Sequence, residues 1–155
     1  MIEVEITQEM LQRAKQKDVE MGTLRNSITK GEGNVIGFLG EEIANLVLKG
    51  QIKNTYQYDL VLDDGTTVDV KTKKTTVQPK EEYECSVAAF NTKQQCDKYC
   101  FVRVKNDLTK GWYLGVYDKE QYFNDAIFLR KGEIDPSNMF TVKSDCYNLK
   151  IKDLK

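Results

Sequence analysis

Two short stretches concentrate the side chains that can do chemistry: Tyr58-Asp59-Leu60-Val61-Leu62 and Thr67-Val68-Asp69-Val70-Lys71, separated by Asp63-Asp64-Gly65. Both alternate apolar and polar residues with the two-residue period of a β-strand, and the Asp-Asp-Gly run between them is hairpin punctuation. A three-residue loop with Gly65 in the left-handed conformation pairs Leu62 with Thr66 and sets Asp59 opposite Asp69. Alternation then sends Leu60, Leu62, Val68 and Val70 to the core, and Asp59, Asp69, Lys71 and Lys73 to the other face. A two-residue turn would instead set Asp59 against Val70 and separate the two acids.

Two carboxylates facing one another on neighbouring strands repel, an arrangement that a cation between them relieves. Magnesium (or manganese) suits such a place, because it takes one or two protein carboxylates, several waters and substrate phosphate oxygens. Lys71 projects on the same side as Asp69. There it can orient or deprotonate an attacking water, or offset charge that grows on a phosphorane. The chemistry expected is hydrolysis of a phosphodiester. An acid-x-Lys triplet alone says little, since Asp153-Leu154-Lys155 is another. The second triplet follows no aspartate on a partner strand. The competing reading is an ordinary surface hairpin with its charges outward.

Composition removes most rival chemistries. The 155 residues include no histidine, so Ser-His-Asp and Cys-His machinery, HNH-type nuclease chemistry and His-ligated zinc are all excluded. Cys85, Cys96, Cys100 and Cys146 lack CxxC spacing and read as core thiols. The net charge of −1 gives no global attraction to nucleic acid. Locally, Lys71, Lys73, Lys74 and Lys80 occur with no acid among them, enough to neutralise several phosphates. No apolar run reaches the roughly 18 residues of a membrane span, and Met1-Ile2-Glu3-Val4-Glu5 does not carry the basic and then apolar regions expected of a signal peptide. A cytoplasmic protein without membrane contact is expected.

The elements that must position the hairpin follow from periodicity. A helix capped by Thr7 should run to about Val19 and bury Met10, Leu11 and Ala14. Residues 22–33 read as a loop carrying Arg25, Ser27 and Lys30. A second helix is expected from Asn34 to Lys49, capped by Gly50, with Val35, Ile36, Leu39, Ile43, Leu46 and Val47 toward the core. Further strands are expected at 83–90, 99–105 and 112–117. Asp118 should cap a short helix with Gln121 at the capping-box position, and two short strands should follow near 126–130 and 139–143. A single domain spanning 1–155 with an α/β fold, a mixed β-sheet flanked by helices, accounts for the pattern.

From Gly40 to Lys73 the chain resembles the PD-(D/E)XK nuclease superfamily, in particular the branch near archaeal Holliday junction resolvases. Gly40-Glu41-Glu42-Ile43-Ala44 looks like that branch's Gly-Glu-x-x-Ala helix. Tyr58-Asp59-Leu60-Val61 looks like its first metal-binding strand, and Val68-Asp69-Val70-Lys71-Thr72-Lys73 like its acid-x-Lys strand. No proline precedes Asp59, a departure from the common pattern. The resemblance implies a restriction-endonuclease-like core and a magnesium-dependent deoxyribonuclease acting on DNA. It implies Glu41, Asp59, Asp69 and the Val70 carbonyl as metal ligands, and Lys71 as the catalytic lysine. On a helical wheel Glu41 points away from the apolar stripe and Glu42 sits at its flank, so the choice between them stays open; the resemblance favours Glu41. Gln94, in a polar stretch between strands, can bring an amide to the site, and Lys30, Lys73 and Lys74 are candidates for DNA backbone contacts. Trp112, Tyr113 and Tyr117 could stack on bases, although strand alternation sends at least half of them inward. Small enzymes of this type often work as homodimers. The alternative is a nuclease-fold module that binds nucleic acid or a protein partner with little or no cleavage.

Overall fold

The computed structural model describes residues 1–22 and 32–154. Its elements are β1 (Ile2–Glu5), α1 (Gln8–Gly22), α2 (Glu32–Leu48), β2 (Gln51–Ile52), β3 (Leu60–Val61), β4 (Thr67–Thr75), β5 (Glu84–Ala88), β6 (Lys98–Lys105), β7 (Lys110–Asp118), α3 (Lys119–Asp125), β8 (Ile127–Leu129) and β9 (Cys146–Lys150). A six-stranded sheet in the order β1-β7-β6-β4-β3-β2 forms the middle layer, and a three-stranded sheet β5-β9-β8 packs on one side of it. The large sheet is mixed. Its β4 and β6 run parallel, with Lys71 beside Phe101 and Lys73 beside Arg103, and the other pairings are antiparallel.

Each face of the large sheet has its own core. On one, Met10 and Ala14 of α1 and Ile36, Leu39, Ile43 and Ala44 of α2 bury against Leu60, Val68, Cys100, Val102 and Val104. On the other, Tyr99, Phe101, Trp112, Leu114 and Tyr117 meet Cys85, Val87, Leu149 and Tyr122. The interior of β6 is therefore apolar at nearly every position, as a strand covered on both faces must be. Among the described residues no helix is long and apolar enough to cross a membrane.

The helix ends show what local chemistry decides. Thr7 caps α1, its Oγ1 accepting from Met10 N at 3.2 Å. α1 extends through Gly22 and α2 starts at Glu32, so both helices reach into the stretch expected to be loop. Arg25, Ser27 and Lys30 lie outside the described residues. At the end of α2 the left-handed residue is Lys49 (φ 56°), not Gly50. Gly50 is needed for another reason: a Cβ there would sit 2.6 Å from the carbonyl oxygen of Val61. Leu46, expected in the core, is exposed because it lies at the flank of the stripe in the last turn.

Two further expectations are corrected. Gln121 does not close a capping box: Asp118 accepts from Gln121 N, but the Gln121 amide turns to Asp125. The strand expected at 139–143 forms instead at Cys146–Lys150, and the earlier stretch contributes one isolated bridge, Ile134 to Thr141. β9 wins because its Leu149 joins the second core. β1 carried no recognisable signal, its four residues being mostly exposed at the sheet edge.

Candidate functional site

The hairpin adopts the three-residue turn. Leu62 N donates to Thr66 O and Gly65 N to Leu62 O, both at 2.9 Å, with Gly65 at φ 87°. Leu60 then pairs with Val68, which sets Asp59 opposite Asp69. Leu60 and Val68 are fully buried toward the helices, as alternation demands. Asp59 closes the ladder: its N–H donates to Val68 O, and its Oδ2 accepts from Val70 N at 2.8 Å. Asp69 is 4% exposed, and its Oδ2 lies 2.6 Å from Lys71 Nζ as an ion pair without an aligned hydrogen bond. Lys71 Nζ also donates to Gln94 Oε1 at 3.1 Å and rests 5.5 Å from the centre of the Tyr99 ring.

Glu41 joins this group from α2. It is 4% exposed, although its place on the helical wheel is away from the apolar stripe. What buries it is the loop between β2 and β3, which a wheel does not contain. That loop folds round the backbone carbonyl of Asp59, which accepts from both Lys53 N and Asn54 N. Asn54, left-handed at φ 51°, turns its amide to the Glu41 carboxyl (3.0 Å to Oε2) and accepts from Lys17 of α1. Glu42 goes elsewhere: Arg13 of α1 grips both its oxygens, at 2.8 and 3.2 Å. The fold thus brings Glu41, and not Glu42, to the hairpin.

Gly40 explains the closeness of α2 to β4. A Cβ at this position would run into the Thr72 side chain, so only glycine lets the helix approach and carry Glu41 down to Asp59. Gly37, one turn earlier, has open space where a Cβ would be and lines the cavity instead. That cavity, about 340 Å³, is walled by Glu41, Asp59, Val70, Gln94, Asn54, Thr55 and Tyr56, among others.

Electrostatics follow from burial. Glu41 is pushed up to about 9, first by burial and then by the Asp59 charge, with which it shares a hydrogen bond. Asp69 is pushed up to about 6 by burial, against the pull of the Lys71 ammonium, with the Asp59 charge raising it further. The cluster is short of positive charge, and Glu41 retains a proton near neutrality.

Among the described residues no group of three or more His, Cys, Asp or Glu side chains is arranged so that it could hold a metal ion. The donors present are nonetheless hard oxygens, and Asp69 Oδ2 is a buried carboxylate oxygen that accepts no hydrogen bond. Carboxylate oxygens are hard donors, of the type that magnesium or manganese takes in preference to softer ions.

Of the remaining sequence candidates, Gln94 stands inside the site, its Nε2 donating to Tyr56 O at 3.2 Å. Lys73 and Lys74 are both exposed, but neighbouring positions on β4 send them to opposite faces. Trp112 and Tyr117 are core residues at 2% exposure and cannot stack on bases. Asn54, Lys17 and Tyr99 contact the site and were not legible beforehand. Only Asn54 left a trace, as an asparagine in a short polar loop, the residue type that tolerates the left-handed conformation. Cys85, Cys96 and Cys100 are buried and Cys146 half-buried, all as free thiols. Compared with known protein families and with curated proteins, the chain matches none.

Proposed function

We propose that this chain is a magnesium- or manganese-dependent DNA endonuclease with a restriction-endonuclease-like core, of the PD-(D/E)XK class. The observation that carries the reading is the meeting of Asp59 and Asp69 across a tight hairpin, with Lys71 at 2.6 Å from Asp69 and Glu41 pressed on Asp59 from α2. Such a cluster of buried acids is costly in itself, which argues that it is kept for chemistry. Glu41, Asp59, Asp69 and the Val70 carbonyl would hold the ion. When bound, it would supply Lewis-acid activation of water and of the phosphoryl oxygen.

The chain's own residues do the rest. Val70 N holds the Asp59 carboxylate in place through its hydrogen bond. Gln94 fixes the Lys71 ammonium, itself anchored through Tyr56 O, so that the cation stands at the mouth of the acid cluster. An ammonium there attracts the phosphate and offsets the negative charge that develops as the phosphorus becomes pentacovalent. The Glu41 proton must leave before its carboxylate can act as a ligand, and Lys17 acting through Asn54 favours that loss.

The test is nicking of supercoiled plasmid. Cleavage is expected with magnesium or manganese, is stopped by chelator, and is abolished by Asp69→Ala in a folded protein. The second reading, a nuclease-fold module that binds without cutting, draws on the absence, among the described residues, of any group of three or more acids or thiols able to hold a metal ion, and on the ion pair that already engages Asp69. It predicts a DNA mobility shift with no metal-dependent nicking.

A further inference from the structure

A second cavity, of about 850 Å³, adjoins the acid site, with Gly37 and Val70 lining both. It runs between the large sheet and the small one, and its basic residues gather mainly on the large-sheet wall. On the large-sheet side stand Lys71 and Lys73 of β4 and Arg103 of β6. Lys71 and Lys73 share a face two residues apart, a spacing of about 6.6 Å along a strand, close to the phosphate repeat of an extended nucleotide chain. Arg103 pairs in register with Lys73 and is fixed by a 2.8 Å hydrogen bond to Glu84 O and by the Tyr83 ring at 5.7 Å.

The opposite wall carries one cation, Lys143, and otherwise offers aromatic surface and acceptors, among them the carboxylates of Glu82, Glu84 and Asp135. Glu84, Asp135, Ser137 and Asn148 form one hydrogen-bonded network, with Ser137 Oγ donating to Glu84 at 2.5 Å and Asn148 Nδ2 to Asp135 at 3.2 Å. Phe140 lines the cleft and is 57% exposed, so the face of its ring is open to a ligand there.

We infer that this cleft is a track for a single polynucleotide strand, which lays its phosphates along Lys71, Lys73 and Arg103 and turns its bases to Phe140 and the acceptor wall. A strand has the same two-sidedness as the cleft: anionic on one side, and on the other flat rings edged with N–H donors. The volume is that of a site enclosing a drug-sized ligand, room for a nucleotide or two and none for a duplex. With the acid site read as a phosphodiesterase, the substrate class becomes DNA with a single-stranded arm, such as a flap or a frayed end. Gly37 keeps the connection open, since a side chain there would project into the space the two cavities share.

The experiment measures binding of fluorescein-labelled oligonucleotides to the full chain in chelator, where nothing is cut. Single-stranded DNA is expected to bind at least about tenfold more tightly than the same sequence as blunt duplex, a stacked base being worth that much. Lys73→Ala should lower the slope of log K against log salt by about 0.7, one phosphate contact on a single strand. Phe140→Ala should weaken binding about tenfold with an unchanged salt slope. Gly37→Leu, which adds a side chain into open space, should block the track without unfolding the helix. Circular dichroism melts of the three variants verify folding. Single-stranded RNA bound equally well would support the track, since it presents the same two sides. Equal affinity for duplex and single strand, or variants that bind like the parent, would overturn it. The two readings separate cleanly. A chain that binds strands through Lys73 and Phe140 and never cuts keeps the track and refutes the phosphodiesterase; one that cuts duplex DNA regardless of these substitutions does the reverse.

Discussion

Replacing Glu41 by glutamine should make the metal-free protein more stable above neutral pH. In the fold Glu41 holds its proton up to about pH 9, whereas an ordinary glutamate releases it near 4.5. Between those values the folded state binds one more proton than the unfolded state, so stability is full below the unfolded value and falls as pH rises toward the folded one. The slope is at most about 1.4 kcal/mol per pH unit, an upper bound here because Asp59 shares the hydrogen bond. Asp69, pushed up to about 6, adds a decline of the same sign at lower pH. A window from about pH 6.5 to about pH 7.5 therefore isolates Glu41: the chain has no histidine, and the four thiols, all raised by burial in the fold, begin to add a decline of the same sign only nearer pH 8.5, where unfolded cysteine ionises. One unit amounts to about 1.4 kcal/mol at the ceiling, or a fall in Tm of roughly 3–6 °C for a domain of this size. Glutamine keeps the shape of the protonated acid and has no proton to lose, so its melting curve should be nearly flat across the window. The assay is a series of thermal and urea melts of both proteins in chelator. A wild type whose stability is flat or rising over this range, or a variant that declines as steeply, would refute the burial of a protonated Glu41 against Asp59.

Two further substitutions probe how the site is positioned. Gly40→Ala should destabilise the protein by about 1–3 kcal/mol, the usual cost of overpacking, because the new methyl meets Thr72; urea midpoints measure it, and a neutral result would show that α2 stands further from β4. Asn54→Ala should be less stable than Asn54→Gly by about 1 kcal/mol, since both lose the contact with Glu41 and only alanine is strained at φ 51°.

The hairpin was legible from sequence because its information is local. Asp63-Asp64-Gly65 specifies the turn, the turn fixes the register, and the two-residue period then decides which side chains share a face. The same holds for Thr7 and Asp118 as helix caps. The burial of Glu41 was not legible, because it depends on a loop twelve or more residues away in sequence that covers a helix face only in three dimensions. Gln94 lies twenty-three residues from Lys71 and reaches it because β4 and β6 run parallel, a pairing that no local pattern encodes. The aromatic residues of β7 show the opposite problem. Trp112 and Tyr117 look available for stacking until the small sheet, assembled from segments far apart in the chain, closes over them. In the C-terminal part, 139–143 and 146–150 are both short and partly apolar, and tertiary packing chose the second.

The claim on which the rest depends is that Asp59 and Asp69 together take a divalent ion. Crystals soaked in manganese and measured at its absorption edge test this directly. An anomalous peak is expected between Asp59 and Asp69, within about 2.0–2.3 Å of oxygens from both, the range for small hard cations. Crystals that diffract well with no peak there, or with manganese bound only elsewhere on the surface, would contradict the claim.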